Sequence, residues 1–406
     1  MPRRILSSTF VALLAWGLAG FVQSAPVAAQ VAPPAVDGPT GNNFWLATET
    51  GEVWNFGHAG SYGSAGALPL SKPIVGITPT TSEHGYWLVA SDGGIFSYGD
   101  AVYHGSTGAI RLNQDIVGMA PTPSGTGYWL VARDGGIFAF GDAGYYGSTG
   151  AEKLNQPILG MAPTKSGHGY WLVARDGGIF AFGDARFYGS TGAIHLNQPI
   201  VAMAARPDGK GYWLLGGDGG AFTFGASAFA GSMGDNPAPD PAQKIISTKD
   251  GGGYWIVDQN GTATPFGDAT GAPPAQGLMF RPVTRGDKAV LFAFHQLGKP
   301  YIWGGNGPDG YDCSGLTLKS WQAGAGTSFA RVANDQYHTA GGPVALKDLE
   351  TGDLVFWGSN PGDWTSVYHA AMYVGGGRIV ESTGDHVQLN SLDQWGGDVM
   401  PFGRRP

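Results

Sequence analysis

The feature that most constrains the fold is an internal sequence repeat with a period of 42 residues. The segment YWLVARDGGIFAFGDA occurs twice without a change, at residues 128–143 and 170–185. A period of this length is typical of solenoids, propellers and other arrays, in which one small unit stacks on its neighbours. One tryptophan marks the same place in six copies of the unit: Trp45, Trp87, Trp129, Trp171, Trp213 and Trp255.

Each unit has the pattern of short β-strands joined by tight turns. In one copy, residues 129–132 and 137–140 flank an Asp-Gly-Gly turn, and residues 145–147 and 157–162 predict a third and a fourth strand. Four strands in such a unit match one propeller blade. We therefore predict an all-β propeller of six blades over residues 41–270. Residues 278–283 are expected to close the ring beside the first blade; a seventh, degenerate blade and an open array are the alternatives.

Aspartates and aromatic residues recur with the same period. Aspartates commonly cap turns through their side chains, and this explanation is favoured over a metal or ligand site. Packing between blades explains the repeated aromatic residues. A glycan or protein ligand of the propeller remains an alternative, because a propeller fold does not by itself identify what it binds. The aspartates form two sets, Asp92, Asp134, Asp176 and Asp218 in the turns and Asp100, Asp142, Asp184 and Asp268 after a strand.

The N-terminus predicts export. Arg3 and Arg4 precede the largely apolar residues 5–22, and small residues up to Ala29 offer a cleavage site, so residues 1–29 are predicted to be a signal peptide. A retained membrane anchor is the alternative, and it would be the only membrane attachment. The net charge of −8, without a long basic run, argues against nucleic acid as a partner. We expect a secreted or cell-wall protein.

A second domain is predicted after the repeats. Residues 271–284, rich in proline and glycine, are expected to be a linker, and residues 285–406 a compact domain that begins with a helix at 287–297. Cys313 is the only cysteine, which excludes an intrachain disulfide. Asp312 is a good N-cap, so Cys313 would open a helix. A helix N-terminus stabilises negative charge and favours the thiolate, so a nucleophile is favoured over an inert core residue.

A thiolate nucleophile needs a base, and this domain offers four histidines. His369 precedes a strand-like run that ends in glycines, and residues 378–382 predict the returning strand of a hairpin. Antiparallel pairing would bring Glu381 beside His369, where a carboxylate fixes the imidazole and favours its protonated form. Spacing alone does not decide between His369 and the other three histidines, His295, His338 and His386.

Three motifs in this order resemble the NlpC-type family of bacterial cell-wall cysteine peptidases: PYIWGGNGPDGYDCSGL, GDLVFW and YHAAMYVGGGRIVEST. The resemblance covers about residues 287–402. It implies a papain-like α+β domain that cleaves peptidoglycan stem peptides, commonly between D-glutamate and the diamino acid. By position, the resemblance implies Cys313 as nucleophile, His369 as general base and Glu381 as orienting residue, with Tyr301, Asp312 and Ser314 at the oxyanion or substrate site. The sequence departs from the family at Ala371, where glycine is common, and in an insertion-like stretch before His369.

The function predicted from these observations is that of a secreted peptidoglycan endopeptidase with a thiol mechanism. No metal and no cofactor are expected, because the chemistry is acyl transfer through a cysteine. The expected partner is the peptidoglycan stem peptide, and the propeller would target or regulate the peptidase. Two alternatives stay open: a surface adhesin or scaffold with a vestigial peptidase module, and an amidase, transpeptidase or other acyl transferase with the same triad.

Overall fold

The structure is a computed structural model that describes residues 43–234, 241–281, 284–375 and 377–406. The predicted signal peptide, residues 1–29, lies outside the described residues, as do two residues at the end of the predicted linker, 282–283. Within the described ranges, no helix is long and apolar enough to cross a membrane.

The repeats form 18 short strands. Strands β1 and β2 precede five units of three strands each, and β18 follows them. The bounds are β1 Phe44–Ala47, β2 Val53–Phe56, β3 Ile74–Pro79, β4 Gly85–Ala90, β5 Ile95–Gly99, β6 Ile116–Pro121, β7 Gly127–Ala132, β8 Ile137–Gly141, β9 Ile158–Pro163, β10 Gly169–Ala174, β11 Ile179–Gly183, β12 Ile200–Ala205, β13 Gly211–Gly216, β14 Ala221–Gly225, β15 Ala242–Ser247, β16 Tyr254–Asp258, β17 Ala263–Phe266 and β18 Gln276–Met279.

These strands form six three-stranded sheets, so the prediction of four strands per unit is wrong. The strand predicted at residues 145–147 is absent from its sheet, which contains only β6, β7 and β8. The reason is that the backbone there bonds to the next unit: the Tyr146 amide donates to the Tyr170 hydroxyl at 3.1 Å. Gly147 adopts a φ of 135°, and a Cβ atom there would collide with the ring of Phe182 in the next sheet.

The sixth sheet joins the two ends of the repeat region. Strand β18 pairs in parallel with β1, Gln276 opposite Phe44 and Met279 opposite Ala47. The observed strand shares two residues with the predicted closing segment, and it lies inside the predicted linker. One strand from each of the six sheets (β3, β6, β9, β12, β15 and β18) lines a common cavity of about 600 Å³.

The repeated aromatic residues are buried and link neighbouring units. In the unit of β10, the Tyr170 hydroxyl donates to the Gly147 carbonyl at 2.6 Å, and the Trp171 indole donates to the Arg186 carbonyl at 2.7 Å. The first set of repeated aspartates caps its own turns, as predicted, whereas the second set accepts hydrogen bonds from another turn, about 20 residues earlier in the chain. Asp134 accepts from the Gly136 amide at 2.9 Å, and Asp142 accepts from the Thr122 hydroxyl at 2.8 Å.

The C-terminal region is an α+β domain. Its helices are α1 Arg285–Phe294, α2 Cys313–Ala325 and α3 Ala333–Thr339, and α1 therefore begins and ends before the predicted bounds. Six strands form one antiparallel sheet in the order β19-β24-β20-β21-β22-β23. The strands are β19 Gly342–Ala345, β20 Leu354–Gly358, β21 Val367–Gly375, β22 Arg378–Thr383, β23 His386–Ser391 and β24 Phe402–Arg405.

The repeats and the α+β domain share one hydrophobic core. Phe294 of α1 lies against Trp54 and Phe56 of β2, with ring centroids 5.3 and 6.2 Å apart. The buried guanidinium of Arg378 lies 4.9 Å from the ring centroids of both Phe44 and Phe56 and donates to a backbone carbonyl of the turn after β16. The segment predicted to be a linker thus connects two regions that are packed together.

Candidate active site

Cys313 lies at the first position of α2, as predicted. Asp312 is the N-cap residue, and its side chain accepts a hydrogen bond from the Gly315 amide at 2.6 Å. The Cys313 amide donates to no described group, as expected in the first turn of a helix. Cys313 is 8% exposed, so the sulfur is shielded from bulk water at the end of a helix whose dipole favours an anion.

His369 lies between Cys313 and Glu381. The hairpin of β21 and β22 forms as predicted, and the His369 Nε2 atom contacts the carboxylate of Glu381. The other neighbour of the ring is Cys313, to which His369 is hydrogen-bonded. Burial disfavours the imidazolium, but the hydrogen bonds and charges of Cys313 and Glu381 outweigh it and raise the pKa of His369 to about 9. The ring is therefore protonated at neutral pH and can pair with a thiolate.

Glu381 is held by a residue that the sequence did not single out. The Glu381 side chain is fully buried, and the Asn390 amide of β23 donates to its Oε1 atom at 2.6 Å. Each carboxylate oxygen thus has its own partner, one the imidazole and the other the amide. This fixes the plane of the carboxylate, and through it the orientation of His369.

A second missed residue, Arg331, organises the N-terminus of α2. Its guanidinium donates to both carboxylate oxygens of Asp312, at 2.9 and 2.8 Å, to the Ser314 hydroxyl at 3.0 Å and to the Gly305 carbonyl at 2.9 Å. Asp312 also accepts from the Gly304 amide at 3.0 Å. The polar atoms of Asp312 and Ser314 are thus used inside the protein, which favours a positioning role for both over direct substrate contact.

Tyr301 lies beside the nucleophile. Partial burial, followed by the charges of Cys313 and Asp312, raises the pKa of its hydroxyl, which therefore stays protonated as a donor. The loop that follows is exposed: Trp303 is 88% exposed and Ile302 is 42% exposed. The exposed indole of Trp303, two residues after Tyr301, is a feature that apolar periodicity does not reveal, because it belongs to no helix or strand face.

The other three histidines lie away from this arrangement. His295 caps α1 and lies 3.6 Å from Glu52 of the repeats, and His338 stacks on Trp364 with ring centroids 4.7 Å apart. His386 contacts Asp385. In the part of the chain that the structure describes, no group of three or more His, Cys, Asp or Glu residues could hold a metal ion.

A comparison with models of known families matches the region that contains Cys313, His369 and Glu381. Residues 298–399 match the model of the NlpC/P60 family. This part of the chain is an NlpC/P60 domain. The repeats lie outside the matched range.

The NlpC/P60 domain is similar to several named cell-wall enzymes. It is 40% identical over 106 residues to murein DD-endopeptidase MepH of Escherichia coli (strain K12), in a match that covers 25% of this chain and 38% of MepH. It is 38% identical over 110 residues to the bifunctional muramidase/DL-endopeptidase CwlT of Bacillus subtilis (strain 168), covering 26% of this chain and 32% of CwlT. These matches therefore span less than two fifths of the relatives' own length.

Two further similarities concern the same domain. The γ-D-glutamyl-L-lysine dipeptidyl-peptidase of Bacillus subtilis (strain 168) is 39% identical over 100 residues, 24% of this chain and 33% of that enzyme. Among solved structures, the NlpC/p60 domain of the peptidoglycan hydrolase SagA is 32% identical, with a TM-score of 0.26, and the match covers 30% of this chain and 98% of that domain.

Proposed function

We propose that this protein is a secreted peptidoglycan hydrolase that cleaves stem peptides with a Cys-His-Glu thiol mechanism. The observation that carries the proposal is the buried His369, which is hydrogen-bonded to Cys313 on one side and Glu381 on the other. A nucleophile, its base and an orienting carboxylate in contact are the groups that covalent acyl transfer requires. The proposal uses no metal and no cofactor.

The mechanism has two chemical steps. The Cys313 thiolate attacks the scissile amide carbon, and the oxyanion is stabilised by the Cys313 amide and the Tyr301 hydroxyl. The C–N bond then breaks as His369 gives its proton to the leaving amine, which leaves a thioester on Cys313. Water, deprotonated by His369, attacks the thioester and releases a carboxylate and the free thiol. An oxyanion donor typically contributes about 2.7–4 kcal/mol to such a reaction.

For the bond, we propose the amide between D-glutamate and the diamino acid. The names of the similar enzymes include DD- and DL-endopeptidase and a γ-D-glutamyl-L-lysine peptidase, so the relatives differ in the bond that they cleave. In the loop that follows Tyr301, the exposed indole of Trp303 offers a flat apolar surface on which we propose that the stem peptide packs.

For the repeats, we propose a six-bladed propeller that brings the peptidase to the wall. The proposal is supported by six sheets that line a common cavity and by the pairing of β18 with β1. One aromatic residue is more than half exposed at the same position of four units, a feature that suits stacking on a glycan. These residues are Tyr103, Tyr145, Phe187 and Phe229, which are 56, 62, 61 and 64% exposed. The proposed domains are residues 41–270 and 285–406, with 271–284 between them.

Mass spectrometry of purified muropeptides tests the reaction. The wild-type chain should cut between D-glutamate and the diamino acid, and Cys313→Ala should not. His338→Ala is the matched control, because this histidine stacks on Trp364 away from Cys313 and its loss should leave cleavage intact. Cleavage by Cys313→Ala, or no cleavage by the wild type, would contradict the thiol mechanism.

The same assay in oxygen-18 water separates hydrolysis from transfer. Hydrolysis puts one labelled oxygen into the new carboxylate, because water attacks the thioester. Transfer to an amine acceptor leaves the acyl product unlabelled. An unlabelled, cross-linked product would support the acyl transferase alternative, and binding to peptidoglycan without any product would support the adhesin or scaffold.

A further inference from the structure

The cavity of the repeats carries charged side chains that the peptidase chemistry does not use. Its volume of about 600 Å³ lies within the range of about 300–1,000 Å³ that is usual for small-molecule sites. The protein as a whole is acidic, with a net charge of −8. The charged residues that line the cavity are nevertheless mainly basic: Arg133, Arg175, Lys244 and Arg281, with Asp115 as the one carboxylate of that lining.

Lys244 is an exception to the repeat. The strand pairings place it opposite Val257, where the four preceding units have only glycine or alanine: Gly76, Gly118, Gly160 and Ala202. Its side chain lines the cavity and forms no hydrogen bond or ion pair with any described residue. Burial lowers the pKa of Lys244 to about 8, so the amine is still largely protonated at neutral pH, without a partner. The repeat needs no lysine here for its own packing.

The arginines lie at one mouth of the cavity. The Arg133 amide donates to the Asp115 carbonyl at 2.9 Å and the Arg175 amide to the Pro157 carbonyl at 3.0 Å, where the inner strands begin. Arg281 lies two residues after β18, whose parallel pairing with β1 reverses its direction relative to the other inner strands. The end of β18 therefore meets the beginnings of the others. Within the described ranges, the three guanidinium groups form no ion pair or hydrogen bond.

We propose that this cavity binds an oxyanion of the phosphate class, with Lys244 inside and Arg133, Arg175 and Arg281 at the mouth. A guanidinium fork binds two oxygens of a phosphoryl group, and a lysine ammonium adds a point charge that tolerates several geometries. A cleft lined by one sign of charge also concentrates the field on a bound anion. The carboxylate of Asp115 at the same mouth would repel a ligand whose negative charges extend around the whole mouth. The proposal is independent of the peptidase activity.

Isothermal titration calorimetry of the full-length protein tests this site. The probes are inorganic tripolyphosphate, which represents a free phosphate compound, and poly(glycerol phosphate), which represents a wall polymer. We expect one site per chain and weaker binding as salt is added, because exposed cations are screened. Tighter binding of the polymer would assign the site to a wall phosphodiester, and tighter binding of tripolyphosphate to a free phosphate compound.

The variant Lys244→Ala isolates the cavity from the rest of the surface. The preceding unit has an alanine, Ala202, at the equivalent position, so the fold should tolerate this substitution. Loss of a charged hydrogen bond should weaken binding of the probe by about tenfold or more. The control is Lys249→Ala, an exposed lysine of the same unit outside the cavity lining, which should bind as the wild type does. No binding of either probe, or equal effects of the two variants, would overturn the proposal.

Discussion

The repeats and the NlpC/P60 domain stabilise themselves in opposite ways. In the repeats one contact is copied: the same tyrosine hydroxyl donates to a glycine carbonyl of the preceding unit in five places. In the NlpC/P60 domain the corresponding polar contacts occur once, and Asp312, Glu381 and Arg331 all have partners that no other residue replaces. Loss of one copied contact should therefore be tolerated, whereas loss of a unique contact should not.

Among the residues that support Cys313, the largest effect is expected at Glu381. Glu381→Gln keeps the shape but removes the charge that favours the imidazolium of His369, and we expect kcat to fall about 100-fold or more. Steady-state cleavage of a defined muropeptide measures this loss. Asn390→Ala should lower kcat less, by about tenfold, because it disturbs only the orientation of Glu381. Equal kcat for Glu381→Gln and the wild type would remove Glu381 from the mechanism.

The free energy of unfolding should fall as the pH rises from about 6.5 to about 9, because His369 loses its proton in this range. His369 has a pKa of about 9 in the folded protein and 6.5 as its ordinary value, so the folded state binds the extra proton in this window. The contribution is fully present below pH 6.5 and is lost as the pH passes 9. Its size is on the order of a few kcal/mol, measured by urea unfolding at several pH values. A His369→Gln variant with the same pH dependence would show that another group is responsible.

The contact between the repeats and the NlpC/P60 domain should contribute less to the free energy of unfolding than the pairing of His369 with Cys313 and Glu381. Arg378→Ala removes a buried cation that lies beside the stacked rings of Phe44 and Phe56, together with its hydrogen bond to the repeats, and should lower the free energy of unfolding by about 2–3 kcal/mol. Urea unfolding followed by tryptophan fluorescence should then separate into two transitions. Arg404→Ala is the control, because this arginine lies over Tyr337 inside the NlpC/P60 domain and its loss should leave the coupling between the two regions unchanged.

The smallest effects are expected inside the repeats. Tyr170→Phe and Tyr128→Phe each remove one hydroxyl that donates to a glycine carbonyl at 2.6 Å, and each should lower the free energy of unfolding by about 1 kcal/mol. Thermal unfolding of both variants compares the units directly. If the losses in the free energy of unfolding differed by more than about 1 kcal/mol, the repeated contacts would not be equivalent.

Structure that depends on residues close together in the chain was predictable from the sequence. The period identified the strands around each tryptophan, because hydrophobic runs and Asp-Gly-Gly turns are local signals. Asp312 was predicted to cap α2 because capping involves residues three apart, and the Gly315 amide is its partner. The hairpin that holds His369 and Glu381 was predictable for the same reason, since its two strands are neighbours in the chain.

Contacts between distant residues were not predictable from one sequence. Arg331 lies 19 residues from Asp312, and Asn390 lies in a different strand from Glu381, so no spacing rule connects them. The segment at residues 145–147 has strand-like residues, yet its amide bonds to a tyrosine of the next unit. The core that joins α1 to β2 was also missed, because a stretch rich in proline and glycine predicts separation.

The shared core has a consequence for proteolysis of the chain. A protease that cut between β18 and α1 would sever the chain, but Phe294 would stay buried against Trp54 and Phe56, and Arg378 would stay beside the stacked phenylalanine rings of the repeats. The two fragments would remain one nicked molecule under native conditions. Cleavage at this point would therefore not release the NlpC/P60 domain, and this domain would stay wherever the repeats are held.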